Sequence, residues 1–266
     1  MLPSLGAVIA DVEFKAEPHL YLQHVPKDRF SQLKAKLEAG EVKLDTESNK
    51  AFVSSVLKAL DVPISSQLLV FSASSLQSGI INPRNPRALY FNEDTYVGYV
   101  PGGVVEIISM DPEMGGIFYI FDRLSPGRVP SISRSERCFN CHAGNATRRV
   151  PGLIAESLLP MASSGASLES YRRDEQGHQI PLDIRFGGWH LTGEHHLKQT
   201  HANLMGNTIA GSNNYQMTKV EPGQIWDINI HLRPTSDILP NLVHEHQLGF
   251  ENRVFHAAYV MRKLLA

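Results

Sequence analysis

The chain has 266 residues, of which 42% are hydrophobic and 20% charged, and its 25 basic and 27 acidic side chains give a formal net charge of -2. This balance is typical of a folded globular protein, and it provides no basic surface for nucleic acid or for an anionic membrane. Two cysteines are too few for a disulfide framework, and a chain of this length buries a core without one.

The sequence predicts neither a membrane span nor an export signal. Its apolar runs are broken by Gly, Pro or charge long before they reach the eighteen or so residues that a spanning helix needs. Residues 5–10 are apolar, but no Lys or Arg precedes them and Asp11 and Glu13 follow.

Two amphipathic helices are predicted near the N-terminus. In residues 27–39, apolar side chains recur at spacings of three and four, and Gly40 is a typical helix end. In residues 47–60 the apolar positions are Phe52, Val56 and Leu60, and Pro63 marks the end.

The middle of the chain predicts a β-meander. Short runs rich in β-branched and aromatic residues alternate with turn signals such as Asn82-Pro83 and Pro101-Gly102-Gly103. Connections this short join antiparallel neighbours, so we expect four or five antiparallel strands. The runs are residues 67–72, 88–91, 95–100, 104–110 and 116–122.

A long segment of poor periodicity follows, and the chain ends in a predicted helix. Residues 123–223 are rich in Gly, Ser, Asn and His, which favours a functional region, and His231 beyond them is predicted to lie in a strand. Over residues 236–266 an apolar stripe predicts an amphipathic helix with Pro240 in its first turn. The stripe consists of Leu239, Val243, Phe250, Val254, Ala257, Met261 and Leu264.

These elements predict an α+β fold in a single domain spanning residues 1–266, since no linker separates two cores. The helical part is expected at 1–62, the antiparallel sheet at 63–125, the irregular His-rich segment at 126–235 and the long C-terminal helix at 236–266.

Both cysteines lie in the pentapeptide Cys138-Phe139-Asn140-Cys141-His142, the C-x-x-C-H pattern of covalent c-type haem attachment. Each thiol adds across one vinyl group of the porphyrin, and the following imidazole becomes the proximal iron ligand. The pattern therefore predicts one covalent haem c, held by Cys138, Cys141 and His142.

Three other uses of these residues remain open. A zinc site would need one more His or carboxylate besides Cys138, Cys141 and His142. A thioredoxin-like redox pair would need the motif at a strand-to-helix junction in a βαβ unit, which the predicted meander does not favour. The third alternative is a structural disulfide or chance.

Four stretches of the sequence resemble a family of bacterial cytochrome c-like proteins with one haem and one C-x-x-C-H motif. They are PRNPRALYFNEDTYVGYVPGG, CFNCHAGNATRRVPGLIAES, FGGWHLTGEHH with a following MGN, and SDILPNLVHEHQLGFENRVFHAAY. The resemblance spans roughly residues 65 to 262 and implies haem binding, but no activity. In the family pattern a His directly precedes Met-Gly-Asn, whereas this chain has Leu204 there and His201 further upstream.

The second axial position of the iron is predicted to take Met205 or His201, or to stay open for a small ligand. Both residues lie in the Gly-, Asn- and His-rich part of the irregular segment. Other candidates nearby are Met161, His190, His195 and His196.

Secondary contacts to the haem are predicted from residue type. Arg pairs well with carboxylates, so the haem propionates have four candidate counter-charges, although each also suits a solvated surface. Trp189 is expected in the core or near the porphyrin. The Val243-His244-Glu245-His246 stretch is expected on a polar helix face with an occasional contact to the haem edge. The four candidates are Arg84, Arg87, Arg148 and Arg149.

Two functions follow from a haem of this kind, and no catalytic residue is assigned in either. The first is single-electron transfer to a redox partner protein in an exported compartment, the periplasm, where c-type haem is attached. The second is a haem enzyme or small-ligand sensor, with an acid or base supplied by residues 190–201. The zinc alternative would make the protein a binding module.

Overall fold

The structure, a computed structural model, describes residues 12–125, 127–171 and 175–266. The apolar stretch at 5–10 and the acidic Asp11 lie outside the described residues. The fold is α+β, as predicted, with N-terminal helices, antiparallel sheets and a long C-terminal helix.

Both predicted N-terminal helices are confirmed. Helix α1 spans Arg29–Glu38 and helix α2 spans Asn49–Ala59. The side chain of Asp28 accepts a hydrogen bond from the backbone N–H of Ser31 at the start of α1, and Ser48 caps α2 in the same way. Gly40 has a φ of +72°, the left-handed conformation that commonly follows a helix end.

The predicted meander is confirmed and forms most of a seven-stranded sheet. All its neighbouring strands are antiparallel, in the order β6-β5-β4-β3-β2-β1-β9. The meander strands are β1 (Leu68–Val70), β2 (Arg87–Phe91), β3 (Thr95–Tyr99), β4 (Val105–Asp111) and β5 (Gly115–Phe121); β6 (Ile132–Arg134) and β9 (Trp189–His190) form the edges.

One face of this sheet packs on the N-terminal helices. The ring of Phe30 in α1 lies 4.6 Å from Tyr119 and 5.5 Å from Phe121, and Phe52 in α2 lies 5.3 Å from Phe121. Because side chains alternate along a strand, Phe118 and the other intervening residues point to the opposite face.

The irregular segment contains little regular structure. Among its described residues, the α-helix is the four-residue α3, Phe139–His142, and the strands other than β6 and β9 form two hairpins. The hairpins pair β7 (Ser157–Pro160) with β8 (Ser167–Tyr171), and β10 (Leu204–Thr208) with β11 (Tyr215–Lys219). The strand predicted around His231 is wrong: this buried residue follows a short 3-10 turn, Ile228–Ile230.

The C-terminal helix α4 spans Ile238–Leu265, as predicted, but it buries the face opposite to its apolar stripe. Phe250 is 60% exposed and Met261 53% exposed, whereas polar side chains on the other face are almost fully buried. The predicted polar face that carries His244 and Glu245 is present, but it is the buried face of the helix. The buried face consists of Asn241, His244, Glu245, Leu248, Gly249, Asn252, Phe255 and Tyr259. Within the described part of the chain, no helix is long and apolar enough to cross a membrane.

Specific polar contacts hold this face against the irregular segment. Asn252 donates its side-chain N–H to the carbonyl of Leu153 at 2.8 Å and accepts the N–H of Leu153 at 2.9 Å. Glu245 forms an ion pair with Arg185, with Oε2 and Nη1 3.3 Å apart. Burial raises the pKa of Glu245 to about 8, although Arg185 opposes this shift. Because Leu153 belongs to no strand or helix, its backbone groups need a side-chain partner such as Asn252.

We expect Asn252→Val to lower the free energy of unfolding by about 2 to 4 kcal/mol, since it leaves both buried backbone groups of Leu153 without partners. The matched exchange, Val254→Asn on the exposed stripe, is expected to change it by less than about 0.5 kcal/mol. Urea unfolding of both variants measures the difference. Equal effects would contradict the observed orientation of α4.

Candidate functional site

A cavity of about 460 Å³ lies over the sheet face that the N-terminal helices leave free. Its volume is within the range of small-molecule sites, about 300 to 1,000 Å³. The sheet forms the floor, and its cavity-facing residues include Val70, Leu89, Ile108, Phe118 and Trp189. The walls come from α3, residues 153–156, the loop at residues 72–78 and helix α4.

The C-x-x-C-H motif forms one wall of this cavity. Cys138, Cys141 and His142 all line it, since a helical turn places residues three and four apart on the same side. Phe139 points away and packs on Phe14, Tyr21 and Phe118, which anchors α3 to the core. The three residues predicted to bind haem are thus brought together at a cavity.

A hydrogen bond orients the His142 ring. Its Nδ1 lies 2.9 Å from the carbonyl oxygen of Gly152, so Nδ1 carries the proton and donates it. The other nitrogen, Nε2, is left as a free lone pair, which is the arrangement typical of a metal-binding histidine. Burial lowers the pKa of His142, and this also favours the neutral, ligating form.

The two thiols do not have the properties of a thioredoxin-like redox pair. Both are free, with Cys138 partly buried and Cys141 exposed at the cavity mouth. Burial raises the pKa of Cys138, whereas redox-active cysteines have a lowered thiol pKa. The motif also follows an antiparallel sheet rather than a parallel βαβ unit.

Gly98 leaves space in the floor of the cavity because it has no side chain. It lies in the middle of β3, paired with Leu89 on one side and Glu106 on the other. A β-carbon at this position would come within 3.3 Å of Leu89 Cδ2. Glycine weakens a strand interior, and there it often marks the close approach of a ligand.

An arginine lies in the cavity with one donor unused. Arg87 forms an ion pair with Glu106, with Nη1 and Oε2 3.2 Å apart, and both residues line the cavity. The Arg87 Nε is buried and has no hydrogen-bond partner within the described part of the chain. Of the four arginines proposed as counter-charges, only Arg87 lines this cavity; the other three, Arg84, Arg148 and Arg149, are exposed.

His244 lines the same cavity from helix α4. It is 4% exposed, and its ring lies 5.5 Å from Phe91, 5.6 Å from Tyr96 and 5.7 Å from Trp189. Burial lowers its pKa to about 4, so the imidazole is neutral at pH 7. Sequence reasoning gave His244 no role beyond an occasional contact to the haem edge, because the apolar stripe assigned the wrong face of α4 to the core. The spacing of His244, Leu248, Asn252, Phe255 and Tyr259 is equally helical and was the available signal.

The residues predicted for the second axial position lie elsewhere. Met205 packs in a small separate cluster with Phe71 and Val220, and His201 contacts Tyr171 at 4.4 Å between ring centroids. Neither residue lines the cavity that holds His142, and the same is true of Met161, His190, His195 and His196. The structure thus does not bring Met205 or His201 to the cavity of the motif: Met205 lies in the β10–β11 hairpin, and His201 packs on Tyr171.

The zinc alternative lacks a ligand set. Across residues 12–125, 127–171 and 175–266, no three His, Cys, Asp or Glu side chains are grouped so as to hold a metal ion. The geometry thus provides no fourth ligand to complete a zinc site with Cys138, Cys141 and His142.

Comparisons with protein-family models, with curated proteins and with solved structures gave no match for this chain.

Proposed function

We propose that this protein binds one haem c covalently in the cavity over the free sheet face and uses it to transfer single electrons. The observation that carries the proposal is the convergence of Cys138, Cys141 and the oriented imidazole of His142 on one cavity of ligand size. Haem supplies one-electron chemistry when bound.

The residues present fit such a group. Each thiol adds its sulfur to one carbon of a vinyl double bond and its hydrogen to the other, so the addition needs no oxidant or reductant. Apolar side chains of the floor, such as Leu89, Ile108 and Phe118, suit a flat macrocycle. The unused Nε of Arg87 suits a propionate carboxylate, and Arg137, which is exposed and also lines the cavity, provides a second cation.

Electron transfer is favoured over the haem enzyme or sensor. Both hypotheses share the binding of haem. The enzyme hypothesis also expects an acid or base from residues 190–201, and no residue of that range lines the cavity. The exposed Cys141 would bring the attached haem edge to the surface, where a redox partner protein can approach. Because c-type haem is attached on the exported side of the membrane, the proposed location is the periplasm.

The test is maturation of the chain in cells that have a c-type haem attachment system. The expected product retains haem after acid-acetone extraction, because two thioethers hold it. Cys138→Ala with Cys141→Ala is expected to lose all covalent haem, whereas Ser212→Ala on an exposed turn is expected to retain it. A wild-type product without haem, or with freely extractable haem, would refute the proposal.

A further inference from the structure

We propose that His244 is the second axial ligand of the iron, opposite His142, which closes the open coordination position. This inference rests on the proposed haem binding and specifies how the same site holds the metal. The ligand comes from helix α4, an element outside the irregular segment in which the sequence predicted it.

Among the described side chains that line the cavity, His142 and His244 are the imidazoles, and none is a methionine. Two oxygen donors of the lining have partners, whereas the buried hydroxyl of Tyr96 has none among the described residues and offers a phenol oxygen rather than a nitrogen. Glu106 pairs with Arg87, and the hydroxyl of Tyr119 donates to Asp28 at 2.7 Å on the far side of the sheet. His244 is the nitrogen ligand that remains.

Cross-strand register places the two imidazoles over different strands. Ile108 of β4 pairs with Phe118 of β5 on one side and with Tyr96 of β3 on the other. The His142 ring lies 5.3 Å from Phe118, and the His244 ring 5.6 Å from Tyr96. Tyr96 and Phe118, on which the two imidazoles pack, are therefore two strand spacings apart, about 10 Å. This gap has room for both imidazoles with a flat group between them.

The surroundings of His244 also indicate a ligand. Three aromatic rings fix its orientation, and its lowered pKa comes from burial and from the charge of Arg87, with no contribution from a hydrogen bond. Burying a polar side chain without a partner is costly, and an apolar residue would pack among these rings without that cost. A metal bond to the ring nitrogen offsets the cost.

Two nitrogen ligands leave no coordination position for a gas or peroxide. We therefore expect the matured wild-type protein to have a six-coordinate, low-spin haem whose reduced spectrum does not change with carbon monoxide. This coordination agrees with electron transfer rather than with ligand sensing.

The test compares His244→Ala with His246→Ala, an exposed histidine two residues away on the same helix. His244→Ala is expected to retain covalent haem but to become high-spin and to bind carbon monoxide, and added imidazole is expected to restore the low-spin spectrum. His246→Ala is expected to match the wild type. The imidazole rescue distinguishes a lost ligand from a damaged fold.

Two outcomes would overturn the assignment while leaving haem binding intact. One is a low-spin, carbon monoxide-insensitive spectrum in His244→Ala, with Met205→Ala and His201→Ala as comparisons. The other is a wild-type haem that is covalent but binds carbon monoxide, which would mean an open site. Absence of covalent haem in the wild type would instead refute the proposed function.

Discussion

Gly98→Leu is expected to abolish covalent haem attachment while leaving the protein folded. The new side chain would project from the floor of the cavity, where a β-carbon alone already reaches within 3.3 Å of Leu89 and 3.6 Å of Glu106. The strand itself tolerates the change, since glycine in a strand interior costs about 0.5 to 1 kcal/mol relative to alanine. Haem yield after maturation and urea unfolding of the apoprotein measure the two effects separately.

Two further variants serve as controls for the haem yield of Gly98→Leu. Gly98→Ala adds one methyl group at the same position and is expected to reduce the haem yield without abolishing it. Gly79→Leu adds the same side chain as the main variant at an exposed position where a β-carbon meets nothing within 4 Å, and it is expected to attach haem normally. Full haem attachment by Gly98→Leu would show that the macrocycle does not approach Gly98.

The free energy of unfolding is expected to fall as the pH drops from about 6.5 to about 4, because neutral histidines are buried. Burial lowers the pKa of His190 and of His231 to about 4 each, and both side chains lie outside the proposed haem site. In this range the unfolded chain binds protons that the folded chain excludes, so the folded state loses stability on acidification. Each such histidine contributes a slope of about 1.4 kcal/mol per pH unit.

His231→Phe isolates one of these contributions. Phenylalanine retains a ring beside Tyr99 and Trp226 but cannot bind a proton. We expect the slope of unfolding free energy between pH 6 and 4.5 to decrease by about 1.4 kcal/mol per pH unit, measured by urea unfolding at a series of pH values. His196→Asn, at an exposed position, is the control and is expected to leave the slope unchanged. A slope that His231→Phe does not alter would mean that this histidine is protonated in the folded state.

The local elements of this fold were predictable because their signals are short-range. The spacing of Phe52 and Val56 predicts α2, and alternating runs between turn residues predict β2 to β5 within two residues of their observed ends. The edge strands β6 and β9 were not predicted. They are two or three residues long, and they form only because the sheet already offers β5 and β1 as partners.

The orientation of α4 shows where pattern alone fails. The sequence contains two stripes with helical spacing, one apolar and one with His244, Glu245 and Asn252. Choosing the apolar stripe for the core is the usual rule, but this helix faces an irregular segment in which Leu153 belongs to no strand or helix. Asn252 satisfies both backbone groups of Leu153, and this requirement outweighs the loss of apolar contact.

The sequence by itself determined the C-x-x-C-H motif, because Cys138, Cys141 and His142 lie within one helical turn, and the proposed haem attachment is inferred from this spacing. It also determined the fold class, because helix and strand periods are local properties. Only the tertiary structure decided what faces the motif. The sheet register brings Gly98 and Arg87 under it, and the packing of α4 brings His244 into the same cavity. Contacts between residues far apart in the chain depend on which surfaces pack together, and no local period encodes that choice.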